Sequence, residues 1–379
     1  MKTVRDIPVF ENIPILVRAA LNVPVVNGKV ANSFRLRKAV PTIEFLRKKN
    51  ARVVLIGHIG EQGTETLQPV YEALKEFVPG LAWCPVTIGE KARAAVRELP
   101  AGGVLMLENL RRDRGEIMND KKFAQALAEL ADVFVEDSFD VCHRVHASVV
   151  GVPTLLPSYA GLLVEEEVKQ LSKALKPNHP ALALIGGSKF STKEPVLMKL
   201  LEVYDRVFAG GALGNDFVKA MGYGVGMSLV SDADPKEIKS VLANRKLAVP
   251  LDAVVGTLGQ KKDGEAQIVK LDNVPADKAI LDAGPATVET LLKLIKEAKT
   301  ILWNGPLGNY ENGYTDSTFA VAKAIAESGA YSVIGGGDTV AAIEDMHGAE
   351  HFSFLSTGGG AMLDFLAKGT LPGLEVLNK

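Results

Sequence analysis

The feature that most constrains the fold is a regular alternation of short apolar runs with amphipathic stretches along the 379 residues. The runs do not alternate polar with apolar residues, which is typical of strands buried on both faces of a parallel sheet. Segments 123–130 and 195–204 have the apolar spacing of helices. Strand, helix and strand in succession predict βαβ units and mostly parallel sheets. The predicted strands lie at 15–17, 52–57, 103–107, 132–137, 182–187, 206–211, 300–305 and 331–337.

The chain is too long for one ordinary hydrophobic core, so we expect two α/β domains, each a Rossmann-like three-layer αβα structure. The boundary is predicted in LVEEEVKQLSKALKPNHP, a charged helix that ends at Lys176-Pro177 because proline disfavours helix in the residue before it. A polar helix of this kind suits a bridge between two globular halves. We therefore expect a first domain over 1–163, a hinge helix over 164–178 and a second domain over 179–364.

Composition excludes several classes of partner. A formal net charge of −2 argues against a general nucleic-acid binder. No apolar stretch is long enough to span a membrane, and the first residues lack the apolar core of a signal peptide. Cys84 and Cys142, without an export signal, are expected to be free thiols. We therefore expect a cytoplasmic protein, and a monomer because no coiled-coil or exposed apolar helix indicates a partner.

The ends of the predicted strands differ between the two halves. In the first half they carry cations and imidazoles, which suit a small ligand with several negative charges. In the second half they carry glycines, as in GGSK, GGA, NGPLG, GGGD and TGGG, whose backbone N–H groups can cradle nucleotide phosphates. An anion site together with a nucleotide site predicts phosphoryl transfer. The cationic residues are Arg18, Arg35, His58, Arg111, His143, Arg144 and His146.

The stretch VIGGGDTVA, residues 333–341, places a carboxylate beside a glycine turn. Asp338 would repel phosphate unless Mg²⁺ lay between them, and Mg²⁺ takes one or two carboxylates together with phosphate oxygens. Thr339 is expected to cap the following helix and to donate to phosphate. The alternative is that Asp338 is merely the N-cap of that helix.

Several motifs occur together in order: LNVP, LENLR, HRVHAS, ALIGGSKFSTKEPVL, AGGALGNDFVKAMG, ILWNGPLGNYE, VIGGGDTVAAI and FLSTGGGAMLDFL. With this set the chain resembles the phosphoglycerate kinase family over essentially its whole length. The resemblance implies one domain for 3-phosphoglycerate and one for Mg-ADP or Mg-ATP, which close by hinge bending. It also implies that the last residues, 365–379, return to the first domain.

On the acceptor side, the resemblance implies that Arg18, Asn22, Arg35, His58, Arg111 and Arg144 bind 3-phosphoglycerate. Arg35 matches the arginine that stabilises the transferring phosphoryl group.

On the nucleotide side, Lys193 matches the lysine that contacts the moving phosphate, and Glu311 matches the acid that holds the ribose. Asp338 is the expected ligand of Mg²⁺ through the nucleotide phosphates, and Gly337 and Gly359 are expected to face the transferred group. The full expected nucleotide set is Lys189, Lys193, Gly211, Asn304, Leu307, Glu311, Gly336, Gly337, Asp338 and Thr339, with Gly358 and Gly359 in the second glycine turn.

Three positions depart from the family pattern, all on the acceptor side. Ala20 stands where the family has an aspartate that binds the substrate hydroxyl. Glu61 stands where it has an arginine that helps to bind the distal phosphate, and Asp140 stands where it usually has glycine.

These departures leave alternatives to an ordinary glycolytic enzyme. One is a diverged relative with another carboxylate acceptor or weak activity. Another is an NAD-dependent oxidoreductase, which would need a G-x-G-x-x-G turn that neither RAALNVP nor IGHIGEQG supplies.

Overall fold

The computed structural model describes residues 1–187, 190–262, 264 and 266–378. The chain divides into two compact units, one comprising Met1–Lys169 with the segment from Thr370 onward, the other Gln170–Gly369. The division falls within a helix, Leu162–Ala174. Each unit is described by itself below.

The first unit is built around a parallel sheet in the order β5-β6-β4-β1-β7-β8, beside a short antiparallel pair, β2 and β3. Its strands are β1 (Pro14–Ala19), β2 (Val25–Val26), β3 (Lys29–Val30), β4 (Arg52–Ile56), β5 (Ala82–Cys84), β6 (Val104–Leu107), β7 (Val133–Asp137) and β8 (Ser158–Ala160). Its helices are α1 (Phe34–Arg47), α2 (Gln68–Leu74), α3 (Glu90–Glu98), α4 (Arg114–Ile117), α5 (Lys121–Ala128) and α6 (Leu162–Ala174), the last of which crosses the division.

Alternate residues of the central strands enter two separate hydrophobic cores. Ile15 and Val17 of β1 lie in a core with residues of α1 and α2, whereas Leu16 lies in a core with residues of α3 and α5. Because successive strand residues point to opposite faces of a sheet, helices cover both faces. The first unit is therefore a three-layer αβα structure, which explains why its central strands are mostly apolar.

The second unit contains a parallel sheet in the order β11-β10-β9-β15-β16-β17 and a separate antiparallel sheet in the order β13-β12-β14. Its strands are β9 (Ala181–Ile185), β10 (Arg206–Ala209), β11 (Leu247–Ala248), β12 (Asp252–Gly256), β13 (Gln267–Lys270), β14 (Ala279–Ala283), β15 (Thr300–Asn304), β16 (Tyr331–Gly335) and β17 (Phe354–Leu355). Its helices are α7 (Phe190–Val203), α8 (Gly211–Ala220), α9 (Pro235–Leu242), α10 (Pro285–Glu297), α11 (Asp316–Ser328), α12 (Gly337–Asp345) and α13 (Gly360–Lys368).

The C-terminal segment contains α14 (Pro372–Val376), which packs in the first unit. The Gly373 N–H donates to the Cys142 carbonyl oxygen at 2.8 Å. A side chain at Gly373 would meet the Cα of Cys142 at 3.0 Å, so the close approach of these backbones requires glycine.

The predicted α/β fold with mostly parallel sheets is confirmed, and each strand predicted from an apolar run is present to within a few residues. The joining helix ends at Ala174 rather than at the Lys176-Pro177 step. The antiparallel sheet β12–β14 was not predicted, because β13 is largely exposed and β12 and β14 each include an aspartate.

Candidate functional site

The polar groups of the first unit collect at the carboxyl edge of its parallel sheet. Arg18 lies near the end of β1, in register with Ile56 of β4 and Glu136 of β7. Because β6, β4, β1 and β7 are parallel neighbours, the loops that follow them meet at one edge. We call the following set the cationic cluster: Arg18, Asn22, Arg35, His58, Arg111 and Arg144.

Arg18 and His58 form the buried centre of the cationic cluster. Arg18 Nη2 lies 2.9 Å from His58 Nδ1, and a guanidinium can only donate, so Nδ1 accepts and the imidazole proton is on Nε2. Burial, together with the positive charges of Arg18 and Arg111, lowers the pKa of His58 well below its ordinary value. His58 is therefore a neutral hydrogen-bond donor at physiological pH.

A buried serine and, through it, a buried carboxylate hold Arg18 in place. Its Nε donates to Ser148 Oγ at 3.0 Å, and Ser148 Oγ donates to the Glu116 carboxylate at 2.6 Å. The sequence predicts that Arg18 binds the substrate. In the structure Arg18 is 1% exposed, and its described contacts are with protein groups. Burial raises the pKa of the adjacent Glu136 carboxyl well above its ordinary value. This network orients Arg18 toward His58.

A chain of hydrogen bonds joins three further members of the cationic cluster. Arg35 Nη1 donates to the Asn22 carbonyl oxygen at 2.6 Å, and Asn22 Oδ1 accepts from the Gly60 N–H at 3.2 Å. Arg111 Nη1 donates to the Gly60 carbonyl oxygen at 2.5 Å. Asn109 holds the loop beneath them by donating to the carbonyl oxygens of Ile59 and Glu65, each at 2.9 Å. The structure thus brings the predicted residues together.

Arg111 Nε and His146 Nδ1 are among the buried polar atoms of this region that have no hydrogen-bond partner within the described residues. Burial, with the charges of Arg18 and Arg144, lowers the pKa of Arg111. Burial, with Arg111, Arg18 and Arg144, lowers the pKa of His146 to about 4. Arg144 itself is exposed. His146 is therefore neutral at physiological pH, and the guanidinium groups of Arg111 and Arg144 supply positive charge that suits a ligand with several negative charges.

The departed positions occupy different environments. Ala20 is fully buried directly after β1, whereas Glu61 is exposed in the loop after His58. Glu61 is close enough to Arg111 for its negative charge to oppose the lowering of the pKa of Arg111. Glu61 therefore bears electrostatically on the cationic cluster.

The second unit contains a cavity of about 330 Å³. One part is apolar and includes Val218, Leu229 and Leu258, and the polar part includes Glu311 and Asp338. This pairing of an apolar slot with convergent polar groups is typical of small-molecule sites. The lining residues are Gly187, Gly211, Ala212, Asn215, Val218, Leu229, Pro250, Asp252, Leu258, Leu271, Ile280, Leu281, Asp282, Ala283, Pro306, Leu307, Gly308, Asn309, Glu311 and Asp338.

Glycine permits close packing of backbone beside the cavity. Gly211 has φ +59°, and a side chain there would meet the Pro306 carbonyl oxygen at 2.9 Å. Gly336 has φ +94°, and a side chain there would lie 3.1 Å from the Gly305 nitrogen. Both positions combine a left-handed backbone with little space, so residues with side chains are strained there.

Asp338 lies in the first turn of α12, which begins at Gly337. The N-cap position is occupied by Gly336 without a side-chain hydrogen bond, so Asp338 is not the cap of this helix. The expectation that Thr339 caps the helix is wrong for the same reason. Thr339 lies inside the first turn, and its buried Oγ1 has no partner among the described residues. Surrounding protein atoms and the charge of Glu311 raise the pKa of Asp338.

Lys193 lies on α7 beside the first glycine turn. Its Nζ donates to Asn304 Oδ1, at the end of β15, at 3.3 Å. A Cβ at Gly187 would lie 3.4 Å from this ammonium, so Lys193 packs along bare backbone. Burial lowers the pKa of Lys193 to about 8. A partly desolvated cation beside a glycine turn is suited to binding an anion.

The other predicted nucleotide residues are more dispersed. Leu307 lines the cavity, and Gly359 is the N-cap of α13, with φ +52°. Met362 of α13 contacts the end of β16, where it would obstruct a side chain at Gly335. Neither Gly337 nor Gly359 lines the cavity. Lys189 lies outside the described residues.

No sequence pattern indicates the apolar part of the cavity. Leu258 follows β12, Ile280 and Leu281 lie on β14, and Leu229 precedes α9. Asn109 and Ser148, which hold the cationic cluster in place, were also not predicted, although they lie in the motifs LENLR and HRVHAS. Their roles depend on tertiary contacts between distant segments, which the motifs do not encode.

The fold and these two sets of groups are those of an α/β kinase that acts on a small anionic substrate. A family model described as phosphoglycerate kinase matches residues 4–369. The phosphoglycerate kinase of Pelotomaculum thermopropionicum is 41% identical over 99% of this chain and 98% of its own length. That of Thermus thermophilus is 42% identical over 96% of each chain. The chain therefore belongs to the phosphoglycerate kinase family.

Solved structures give the same result. The phosphoglycerate kinase of Pyrococcus horikoshii matches with a TM-score of 0.89 at 29% identity, over 100% of this chain and 98% of its own. That of Coxiella burnetii matches with a TM-score of 0.82 at 35% identity, over 99% and 98%. The comparisons give no support to the oxidoreductase alternative. Within the described part of the chain, no helix has the length and apolarity needed to cross a bilayer.

Proposed function

We propose that this chain catalyses the reversible transfer of a phosphoryl group between ATP and the carboxylate of 3-phosphoglycerate, forming ADP and 1,3-bisphosphoglycerate. The proposal rests on one observation: in this member of the family, the two units carry binding groups of different kinds. The cationic cluster in one unit suits an acceptor with several negative charges, and the cavity in the other suits a nucleotide. The reaction needs both.

The cationic cluster would bind the acceptor without providing a general base. The attacking group is a carboxylate, which is already ionised at neutral pH. His58, with Nδ1 occupied by Arg18 and a lowered pKa, offers an Nε2–H donor. Arg111 Nε offers a further donor that has no partner among the described residues. These groups position and neutralise an anion, which is the contribution that phosphoryl transfer to a carboxylate requires.

The cavity of the second unit would bind the nucleotide along its length. Its apolar part would hold the base, and Glu311 the ribose hydroxyls. The phosphates would lie against the amides near Gly187, Gly211 and Gly336. In this assignment Asn304, Leu307, Gly337 and Thr339 border the phosphate path, and Gly358 and Gly359 at the start of α13 face the transferred group.

Mg²⁺ fits the residues at the phosphate end as an ion shared with the nucleotide. No cluster of three or more His, Cys, Asp or Glu side chains able to cage a metal is present within the described ranges. Asp338 supplies one carboxylate beside the glycine turn, and Mg²⁺ typically takes one or two carboxylates with phosphates and water. When bound, Mg²⁺ would neutralise charge on the phosphate oxygens.

Lys193 and Arg35 would act on the phosphoryl group itself. Lys193 is a cation whose pKa burial lowers to about 8, so binding of an anion beside it restores a partner for its charge. Arg35 offers a guanidinium, whose planar set of donors matches phosphate oxygens. Fixed donors aimed at developing charge are the largest single source of rate enhancement in many enzymes.

A coupled assay of ADP formation tests the proposal. Purified protein with Mg-ATP should form ADP only when 3-phosphoglycerate is present. Glycerate, which has the carboxylate but no distal phosphate, should be poorer in kcat/KM by at least about 10²-fold, because charged hydrogen bonds contribute about 1.5–3 kcal/mol each. No turnover at millimolar 3-phosphoglycerate would eliminate the proposal, and equal turnover of glycerate would assign a different acceptor.

We also propose that the chain works as a monomer in the cytoplasm, with small molecules as its partners. The net charge of −2 favours neither nucleic acid nor an acidic membrane surface as a partner. Light scattering at micromolar concentration should give the mass of one chain, and twice that mass would contradict the monomer.

A further inference from the structure

Asp140 places a carboxylate within the cationic region of the first unit. It lies in the short turn Phe139–Val141 that follows β7, and it is 8% exposed. The Ser138 hydroxyl donates to Asp140 Oδ1 at 2.6 Å, which fixes the direction of the carboxylate. The turn therefore presents the second carboxylate oxygen in a defined position.

That second oxygen faces Arg35. Asp140 Oδ2 lies 3.8 Å from Arg35 Nη1, which also donates to the Asn22 carbonyl oxygen at 2.6 Å. The separation of 3.8 Å is within the range of an ion pair but too long for a hydrogen bond. Asp140 thus attracts the guanidinium without being bonded to it, and an anion that forms true hydrogen bonds could replace it.

Two of the groups around Arg35 differ in charge. The Asn22 carbonyl oxygen is neutral, and Asn22 is tied to the loop of His58 through Gly60. Asp140 carries a carboxylate, the same functional group that the proposed acceptor, 3-phosphoglycerate, carries. Its charge also acts on neighbouring groups, since it contributes to the raised pKa of Glu136. Asp140 is therefore a local source of negative potential where the proposed acceptor must bind.

We propose that Asp140 is a positioning residue that holds Arg35 electrostatically and competes with the anionic acceptor for its guanidinium. The inference rests on the proposed function for the identity of the acceptor, but not for the Arg35–Asp140 contact. Asp140 would thereby weaken acceptor binding while keeping Arg35 in place when the acceptor is absent.

The first test compares Asp140→Asn with wild type in 3-phosphoglycerate titrations and in turnover. Asparagine retains the shape and can accept the Ser138 hydrogen bond, but it removes the charge. The Kd and KM for 3-phosphoglycerate should fall about three- to tenfold, with kcat within about twofold. Because Asp140 is buried, this difference in Kd should largely persist at salt concentrations that screen exposed charges. An unchanged or raised Kd would overturn the proposal.

Two matched variants separate charge from packing. Ser138→Ala removes the hydrogen bond to Asp140 but keeps the charge, so its Kd should stay within about twofold of wild type. Glu98→Gln removes a charge from the exposed end of α3, at the opposite edge of the sheet from the carboxyl ends, and should leave Kd unchanged. A fall in Kd for either control as large as that for Asp140→Asn would also overturn the proposal.

A second measurement is independent of the acceptor. Phenylglyoxal modifies arginine, and mass spectrometry resolves the rate at each residue. Without ligand, Arg35 should react about threefold faster in Asp140→Asn than in wild type, while Arg52, held by two backbone carbonyl oxygens, should be unchanged. An unchanged rate of Arg35 modification in Asp140→Asn would refute the proposal that Asp140 holds Arg35 electrostatically. If wild type neither binds nor turns over 3-phosphoglycerate, the proposed function fails, and the Arg35 rate alone decides this inference.

Discussion

The two units hold their candidate ligand groups in opposite ways. In the first unit the groups are mostly long cationic side chains, held by hydrogen bonds to one another, to backbone carbonyl oxygens and, through Ser148, to the buried Glu116 carboxylate. In the second unit the cavity is lined mostly by backbone and apolar side chains, together with carboxyl groups that include Glu311 and Asp338, and Lys193 lies beside the first glycine turn. Ligand binding to the first unit should therefore depend mainly on charge, and ligand binding to the second mainly on the shape of the backbone and of the apolar wall. Substitutions of charge and of shape should have different effects in the two units.

Lys193→Met should have the largest effect and should be confined to the nucleotide unit. It removes the cation beside the glycine turn while keeping a long side chain, so kcat should fall about 10²- to 10³-fold, as for loss of a donor aimed at developing charge. The Kd for 3-phosphoglycerate, measured by calorimetry, should remain within about twofold. A comparable loss of acceptor affinity would contradict the claim that each unit binds its own substrate.

The same variant should change the pH dependence of stability. Burial lowers the pKa of Lys193 from 10.5 to about 8, so between these values the unfolded chain binds more protons than the folded one. The destabilisation is therefore fully present below pH 8 and is relieved as the pH rises toward 10.5. Lys193→Met should raise the free energy of unfolding near pH 7 by about 1–2 kcal/mol, discounted for solvent access, and the gain should vanish near pH 10. Urea titrations measure both, and a gain that does not depend on pH would contradict the account.

Gly336→Ala tests whether backbone shape controls the nucleotide site. The positive φ and the contact with Gly305 should cost about 1–3 kcal/mol of stability and weaken ATP binding at least about tenfold. Gly329→Ala is the matched control, because Gly329 also has positive φ, ends α11 and has open space around it. The control should lose stability alone, and normal ATP affinity in Gly336→Ala would refute the role of the turn.

Glu61→Arg tests whether charge controls the acceptor site. It reverses a charge that acts on Arg111, so the KM for 3-phosphoglycerate should fall about tenfold with little change in the KM for ATP. An unchanged acceptor KM would show that Glu61 lies outside the reach of the bound ligand. Glu98→Arg makes the same change in net charge at the exposed end of α3 and should leave the acceptor KM unchanged.

Leu258→Ser should have the smallest effect. Leu258 lines the apolar part of the cavity and is 39% exposed, so the substitution should weaken ATP binding about three- to fivefold, or about 1 kcal/mol. Ile268→Ser on β13 is the control, since Ile268 is 64% exposed and does not line the cavity. Equal effects of the two substitutions on ATP binding would show that the apolar part of the cavity does not contact ATP.

The contrast between the units also explains what the sequence could predict. The parallel sheets and the strand-end positions of Arg18, His58 and Arg111 follow from periodicity, because parallel neighbours bring their carboxyl ends to one edge. The antiparallel sheet could not be predicted in this way, since β13 is largely exposed and β14 includes a charged residue, Asp282, so neither segment is a continuous apolar run. The ion pair of Arg35 with Asp140 joins α1 to the turn after β7, and no local pattern encodes it. The capping role expected of Thr339 was wrong because the start of α12 depends on Gly336.

Hydrogen exchange with each ligand added alone tests the central claim most directly, namely that one substrate binds each unit. Added 3-phosphoglycerate should slow exchange in segments 18–35, 57–61 and 109–112 and leave segments 209–215 and 304–311 unchanged. Mg-ADP should give the reverse pattern. Protection of both sets by either ligand at its own binding concentration, or of neither set by both, would contradict the account.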